Sequence, residues 1–139
     1  VASAPNIVVF LTDDQDVMLG GAFPTLGDAT PMPRTRELLV ERGATFTGMM
    51  VHTPICSPSR AELLTGRLLH NLKTTGGTLW QMHLDEERVH NYTFAARMKA
   101  AAGYRTGLFG KYLNAMPAAA PRASWDAWLA NGGGSFVAP

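Results

Sequence analysis

The chain alternates between unbroken apolar runs and stretches in which apolar residues recur with a helical period. The apolar, β-branched run Asn6–Leu11 is typical of a strand buried on both faces. Residues Ala44–Val51 and Tyr104–Phe109 have the composition of two further strands. Between these runs, Arg34–Arg42 and Thr93–Ala102 predict helices, the second with Thr93 as its N-cap, and a glycine follows each. This order predicts an α/β domain that begins with a βαβ unit.

The remaining pattern adds loops and a candidate core. The adjacent apolar residues Leu38, Leu39 and Val40 are expected to face the core from the first helix. The Gly/Pro-rich stretch Gly20–Pro33 and the segment Ala115–Ala123 are interpreted as surface loops. The chain has no internal repeat, charge block or heptad pattern.

Cys56 is the only cysteine in the chain and stands at the start of another helical stretch. Pro58 and Ser59 suit a first helical turn, and Gly66 suits a left-handed stop. A helix N-terminus offers unpaired N–H groups and a positive dipole end, which bind an oxyanion and favour a thiolate. Arg60, four residues later, is expected on the same helix face. The alternative is a buried thiol beside a surface arginine.

Three aspartates follow the first predicted strand directly. Asp13, Asp14 and Asp16 come after its carboxyl end, where open α/β sheets bind their ligands. Adjacent carboxylates repel one another, and oxygen ligands of this kind suit Ca²⁺ or Mg²⁺. The alternative is a polar turn in which Asp13 caps the next segment.

Lys111 lies just beyond the predicted strand Tyr104–Phe109. Its position at a second strand end would place it near the same edge of a parallel sheet as the aspartates. A solvent-exposed lysine without a binding role is the alternative interpretation of this position.

The twelve residues Cys56–Arg67 read CSPSRAELLTGR and match every fixed position of the signature of the sulfatase family, which the chain resembles. This resemblance implies that Cys56 is oxidised to formylglycine by a dedicated enzyme, with Pro58 and Arg60 as recognition features. The opening PNIVVFLTDDQD is similar to the first strand of the family. It implies that Asp13 and Asp14, together with the modified residue 56, bind Ca²⁺, or alternatively Mg²⁺. Asp16 has no such implied role.

The segment GKYLN, from Gly110 to Asn114, also resembles the family. Lys111 matches a lysine that contacts the sulfate and the modified residue. Many members carry histidine two residues beyond that lysine, whereas this chain has Leu113. The variant is similar to the N-acetylglucosamine-6-sulfatase and extracellular heparan 6-O-endosulfatase branch, as is the WDAW of Trp125–Trp128. In that branch the position of Asn114 lies near the substrate.

The resemblance implies an alkaline phosphatase-like fold with a mostly parallel sheet flanked by helices. It also implies hydrolysis of sulfuric esters of a sugar or glycosaminoglycan, in which the formylglycine hydrate attacks sulfur while Lys111 and Arg60 balance charge. A formylglycine-generating enzyme is the implied partner. A secretory, lysosomal, extracellular or periplasmic location is implied as well. A phosphate or phosphonate ester hydrolase of the same superfamily and a non-catalytic remnant remain as alternatives.

Length and charge limit these expectations. With 139 residues the chain is one domain at most, and we expect residues 1–139 to be the N-terminal part of a sulfatase catalytic domain, inactive by itself. The second pair of metal ligands and the downstream histidine and lysine of the family are expected outside it. A net charge of +1 argues against a nucleic-acid partner. No apolar run approaches the roughly 20 residues of a membrane span.

Overall fold

The computed structural model describes residues 4–15, 32–72, 86–114 and 123–131. The chain divides into two compact units, Val1–Met49 and Met50–Pro139, and each is described by itself. Asp16 and most of the two predicted surface loops lie outside the described residues. Within the described residues, no helix combines the length and the apolar character that crossing a membrane requires.

In the described part of the first unit, residues 4–15 and 32–49, there is one short helix. Helix α1, Pro33–Thr35, starts with proline and continues as a single π-helical stretch, Arg36–Val40. Proline suits a first turn because its missing N–H would have no partner there. The backbone N–H of Glu41 donates to the carbonyl of Arg36 at 3.0 Å and closes the wide turn. A helical stretch is therefore present where one is predicted; it starts one residue earlier, ends two residues earlier, and is π-helical after Thr35.

The prediction of a buried strand over Asn6–Leu11 is wrong for this structure. Residues 4–12 have no regular secondary structure, and the side chains of Val8 and Phe10 are 74% and 83% exposed. A strand buried on both faces needs a hydrogen-bonded neighbour on each side. The described residues contain one two-stranded sheet, and this run does not belong to it. The run thus has the composition of a core strand without the partners that form one.

Two further predictions for the first half of the chain are wrong. Residues 44–51 form turns and irregular backbone instead of a strand, and Phe46 and Met50 are exposed. Leu38 and Leu39 are exposed as well, although they were expected to face the core. Consecutive residues of a helix point in different directions, so neighbours in sequence do not share one buried face.

In the second unit, two helices begin and end where the sequence places them. Helix α2 is Cys56–Thr65, and helix α4 is Phe94–Ala102; the shorter α3 is Glu86–His90. Gly66 and Gly103 end α2 and α4 in the left-handed conformation, with φ of 67° and 66°. Glycine adopts this conformation without the steric cost that a Cβ atom brings. Local sequence therefore determines both helix ends.

The sheet joins a predicted strand to one that the sequence did not reveal. Strand β1, Gly107–Lys111, pairs in parallel with β2, Ala127–Asn131. The β1 strand begins three residues later than predicted and ends at Lys111.

Asp126, the residue before β2, contacts the residue before β1 and helix α4. It accepts hydrogen bonds from the N–H of Thr106 at 2.8 Å and from the Lys99 ammonium at 2.8 Å. The hydrogen bond from Lys99 lowers the pKa of Asp126 below its ordinary value.

The core of the second unit lies between α2, α4 and one face of the sheet. Leu108, Trp128 and Ala130 pack against it from the strands. Phe109 and Leu129, which are opposite each other on the two strands, are exposed. The buried apolar cluster consists of Ala61, Leu64, Leu72, Val89, Ala95, Tyr112, Leu113 and Trp125. The cluster contains residues of α2 and the two residues that follow Lys111, so it brings these elements together.

A buried chain of hydrogen bonds connects the start of α4 to the segment before β2. The N–H of Ala96 donates to Thr93 Oγ1 at 3.0 Å, and Thr93 Oγ1 lies 2.7 Å from Ser124 Oγ. Ser124 Oγ donates its only proton to the carbonyl oxygen of His90. The Thr93 hydroxyl must therefore donate to Ser124. One threonine thus caps a helix and completes a buried network.

We expect Thr93→Val to destabilise the protein by about 2 kcal/mol. Valine preserves the shape of threonine, so the loss of stability comes from the missing helix cap and from the Ser124 oxygen that no longer accepts a hydrogen bond. Chemical denaturation monitored by circular dichroism measures the free energy of unfolding. Thr93→Ser is the matched control, because it keeps both hydrogen bonds and removes one buried methyl group. A valine variant as stable as the wild type would contradict the role of this network.

Candidate functional site

Cys56 is the first residue of α2, as the sequence predicts. Ile55 is the N-cap in an extended conformation and contributes no side-chain cap. The first N–H groups of a helix have no intrahelical partner, and they point out from this end. The Cys56 side chain is half-buried, and its thiol is free of any disulfide. The thiol therefore lies beside unpaired donors and the positive end of the helix dipole.

Arg60 is bound to both sides of the site. Its Nε donates to the carbonyl oxygen of Cys56 at 2.9 Å, and its Nη2 donates to Asn114 Oδ1 at 2.9 Å. The first contact confirms that Arg60 shares a helix face with Cys56. The second joins two residues that are 54 positions apart in the sequence. The guanidinium thus lies between the helix start and the segment that follows β1.

Lys111 brings a second positive charge to the thiol. It is the last residue of β1, and its Nζ lies 3.6 Å from Cys56 Sγ. The next two residues, Tyr112 and Leu113, are 2% and 1% exposed. Pairing with β2 on one side and burial on the other therefore fix the backbone at Lys111. Together with Arg60, this places two cations at the N-terminus of α2.

Ser57 is a member of the site that the sequence did not reveal. The backbone N–H of Asn114 donates to Ser57 Oγ at 2.6 Å, and Ser57 is 4% exposed. The amino-acid sequence indicates no role for Ser57 beyond its position next to Cys56. Its partner is 57 residues away, and only the fold brings the two together.

The sequence also did not indicate a role for Glu62, whose carboxylate contacts the segments before and after α2. Its Oε1 accepts hydrogen bonds from the Leu69 N–H at 2.7 Å, from Thr53 Oγ1 at 3.1 Å and from His52 Nδ1 at 3.1 Å. These partners lie before and after the helix in sequence. One carboxylate thus fixes both segments that flank α2. In the sequence, Glu62 has only the pattern of an ordinary helix-surface glutamate.

The second half of the signature has structural contacts. Thr65 Oγ1 donates to the carbonyl of Ala61 at 2.7 Å, and the Arg67 N–H donates to Thr65 Oγ1 at 3.3 Å. The Arg67 guanidinium lies over the ring of Tyr92, 4.4 Å from its centre. These contacts end α2 and attach its last turn to the region before α4. Leu64 is buried in the core.

Tyr112 lies next to Lys111 but is not a candidate acid or base. Burial raises the pKa of its phenol well above the ordinary value. Its ring makes an edge contact with Trp128, with ring centres 5.0 Å apart. The phenol therefore stays neutral at physiological pH, and the charges at the thiol come from Lys111 and Arg60.

The acidic pair belongs to the first unit. Asp13 and Asp14 are both exposed, and each offers a carboxylate oxygen within 4.8 Å of the other. Asp14 has a φ of 50°, in the left-handed region that aspartate tolerates better than most residues. Two solvated carboxylates this close, with oxygen atoms as donors, fit a hard divalent cation such as Ca²⁺. This pair suits the ion that the family resemblance implies.

The second unit therefore gathers four of the predicted site residues. Cys56, Arg60, Lys111 and Asn114 are joined by direct contacts at the N-terminus of α2. Chemically, a helix N-terminus with a lysine at the thiol and an arginine at the carbonyl of the same residue suits the binding of an oxyanion that carries several negative oxygen atoms.

Comparisons with known proteins identify the family of the chain. The family model described as Sulfatase matches residues 5–133 of the chain. N-acetylglucosamine-6-sulfatase of Homo sapiens is 39% identical over 118 residues, which are 79% of this chain and 19% of that protein. The extracellular sulfatase SULF-1 homolog of Drosophila melanogaster is 39% identical over 124 residues, 89% of this chain and 10% of that protein.

A third relative extends the comparison beyond this branch. Arylsulfatase A of Homo sapiens is 35% identical over 112 residues, 81% of this chain and 21% of that protein. No solved structure matches the chain. The chain thus spans about a fifth or less of the length of these relatives, while the family model covers nearly all of the chain. It belongs to the sulfatase family.

Proposed function

We propose that this chain is part of a sulfuric ester hydrolase in which residue 56 provides the nucleophile. The observation that carries the proposal is the contact of Lys111 Nζ with Cys56 Sγ at 3.6 Å, at a helix N-terminus that also holds Arg60. A sulfate ester carries one negative charge and gains negative charge on its leaving oxygen as the ester bond breaks. Fixed cations at this point stabilise such a transition state.

The two cations have different tasks in this proposal. Lys111 has a compact ammonium on a flexible stem, suited to a direct contact with a sulfate oxygen. Arg60 has a planar guanidinium that already uses Nε and Nη2 on Cys56 and Asn114. Arg60 therefore orients the start of α2 and adds charge, and Lys111 addresses the substrate. We propose Asn114 as a further substrate contact at the same edge.

Two groups absent from the polypeptide complete the site. We propose that Cys56 is converted to formylglycine by a formylglycine-generating enzyme, and that the hydrated aldehyde supplies a nucleophilic hydroxyl. Asp13 and Asp14, with the modified residue 56, are proposed to hold Ca²⁺, or Mg²⁺ in its place. A divalent cation of this kind supplies Lewis-acid polarisation of a sulfate oxygen. The chain's own contribution is to orient residue 56 and to surround it with positive charge.

The names of the relatives support a proposal for the substrate class. The proteins with 39% identity are named N-acetylglucosamine-6-sulfatase and extracellular sulfatase. We propose a sulfated sugar or glycosaminoglycan as substrate and a secretory, lysosomal or extracellular location. The segment from Lys111 to Asn114, where the chain is similar to that branch, supports the first part of this proposal.

In the full-length enzyme, we expect Cys56→Ser to lower turnover of a sulfate ester by at least about a thousandfold. Serine cannot be converted to an aldehyde by the same oxidation, so the hydrate nucleophile is lost. Release of sulfate from an N-acetylglucosamine 6-sulfate substrate measures the effect, with the phosphate analogue assayed in parallel. Undiminished turnover by the serine variant would refute the role of residue 56. Preferential hydrolysis of the phosphate ester by the wild type would refute the sulfatase assignment.

We expect Lys111→Met to lower kcat/KM by about a hundredfold to a thousandfold, because one positive group is lost where charge develops. Lys111→Arg should recover part of this loss, since it restores charge with a different shape. Steady-state kinetics at fixed pH measure both variants. Lys99→Met is the matched control, because it removes the same charge from an ion pair with Asp126 outside the site. Equal losses in the Lys99 and Lys111 variants would contradict a specific role of Lys111.

A further inference from the structure

The hydroxyl of Ser57 connects the helix that carries Cys56 to the segment that carries Lys111. Ser57 is 4% exposed, and its Oγ accepts the N–H of Asn114 at 2.6 Å. Ser57 directly follows Cys56, and Asn114 comes three residues after Lys111. This hydrogen bond therefore joins the two short segments that carry Cys56 Sγ and Lys111 Nζ, which lie 3.6 Å apart.

Arg60 holds the same residue by a different atom. Its Nη2 donates to Asn114 Oδ1, while its Nε donates to the carbonyl oxygen of Cys56. Asn114 is thus bound to α2 through both its backbone and its side chain. Two contacts to different parts of one residue fix its orientation as well as its position. The buried residues Tyr112 and Leu113 leave little freedom between Asn114 and Lys111.

We propose that Ser57 is a positioning residue for the sulfatase reaction, acting through Lys111; this inference rests on the proposed function. A lysine side chain has a fixed maximum reach, so the region in which its ammonium can lie is set by where its backbone is held. Displacement of a catalytic group by about 1 Å can cost roughly a hundredfold in rate. The Ser57 hydroxyl prevents such a displacement because it fixes the chain just beyond Lys111.

A purely structural role for Ser57 makes a different prediction. In that case the hydroxyl only satisfies a buried backbone N–H, and its loss lowers stability without any coupling to Lys111. A positioning role requires that the effect of Ser57 on the rate disappears when the Lys111 ammonium is absent. The two roles are therefore separable by a double-mutant cycle.

The first experiment tests the contact without using activity. In the full-length enzyme, amide hydrogen exchange at Asn114 is followed by mass spectrometry with residue-level fragmentation. We expect Ser57→Ala to accelerate exchange of this amide by about tenfold or more, because its acceptor is lost. Ser59→Ala is the matched control. It removes the same atom two residues along, and among the described residues the Ser59 hydroxyl has no hydrogen bond. Unchanged exchange in Ser57→Ala would overturn the proposal.

The second experiment measures the coupling. Formylglycine content of every variant is determined by peptide mass spectrometry, and rates are expressed per modified molecule. We expect Ser57→Ala to lower kcat by about tenfold to a hundredfold with a smaller change in KM, because the Lys111 ammonium stabilises the charge that develops in the transition state more than it stabilises the bound substrate. In the Lys111→Met background, Ser57→Ala should change kcat by less than about twofold. Ser59→Ala should leave kcat close to that of the wild type.

Other outcomes contradict the proposal in distinct ways. Equal losses from Ser57→Ala in both backgrounds, or equal losses from Ser57→Ala and Ser59→Ala, would overturn the positioning role while the sulfatase assignment stands. A wild-type enzyme without formylglycine and without sulfate release would overturn the proposed function, and the positioning role with it. In that last case the hydrogen-exchange result still decides whether Ser57 binds the Asn114 amide.

Discussion

The hydrogen bonds between the first turn of α2 and the residues after β1 are the interaction on which the candidate site depends. Ser57 and Arg60 contact different atoms of Asn114, and both are within four residues of Cys56. Without these contacts, a cysteine and a lysine 55 residues apart have no local reason to meet. Loop closure over this length costs entropy, which a few well-formed contacts and the shared core must offset. The hydrogen bonds of Ser57 and Arg60 with Asn114 therefore bring two segments that are distant in sequence into one site.

The signature segment of α2 divides into a part that meets the site and a part that folds the helix. Cys56 and Arg60 contact the groups at the N-terminus of the helix. Leu64, Thr65 and Gly66 fill the core and end the helix. This division explains why one short sequence is so specific. The chemistry requires a helix that begins at Cys56, and the helix must also end within a defined length to keep its place in the core.

Local features could be predicted from the sequence, and partners distant along the chain could not. Glycine stops gave the ends of α2 and α4, the Thr93 cap gave the start of α4, and Pro58 in the first turn indicated the start of α2, since all of these signals act within a few residues. The apolar runs predicted strands at Asn6–Leu11 and Ala44–Val51, but a strand exists only with its neighbours, and the structure pairs neither run. Resemblance supplied the candidate residues of the site. It could not supply Ser57 or Glu62, whose importance lies in the segments that they connect.

Charge and burial together explain why the site needs the core beneath it. Arg60 contacts the carbonyl oxygen of Cys56 and Lys111 contacts its thiol, so two positively charged side chains are held at one residue, although like charges repel each other. Here Arg60 is held by two hydrogen bonds, and the backbone at Lys111 is fixed between the β1–β2 pairing and the buried residues Tyr112 and Leu113. The favourable burial of those residues offsets the unfavourable approach of like charges. Positive charge is thus concentrated before any anion arrives, which is the condition for electrostatic stabilisation of a transition state without rearrangement.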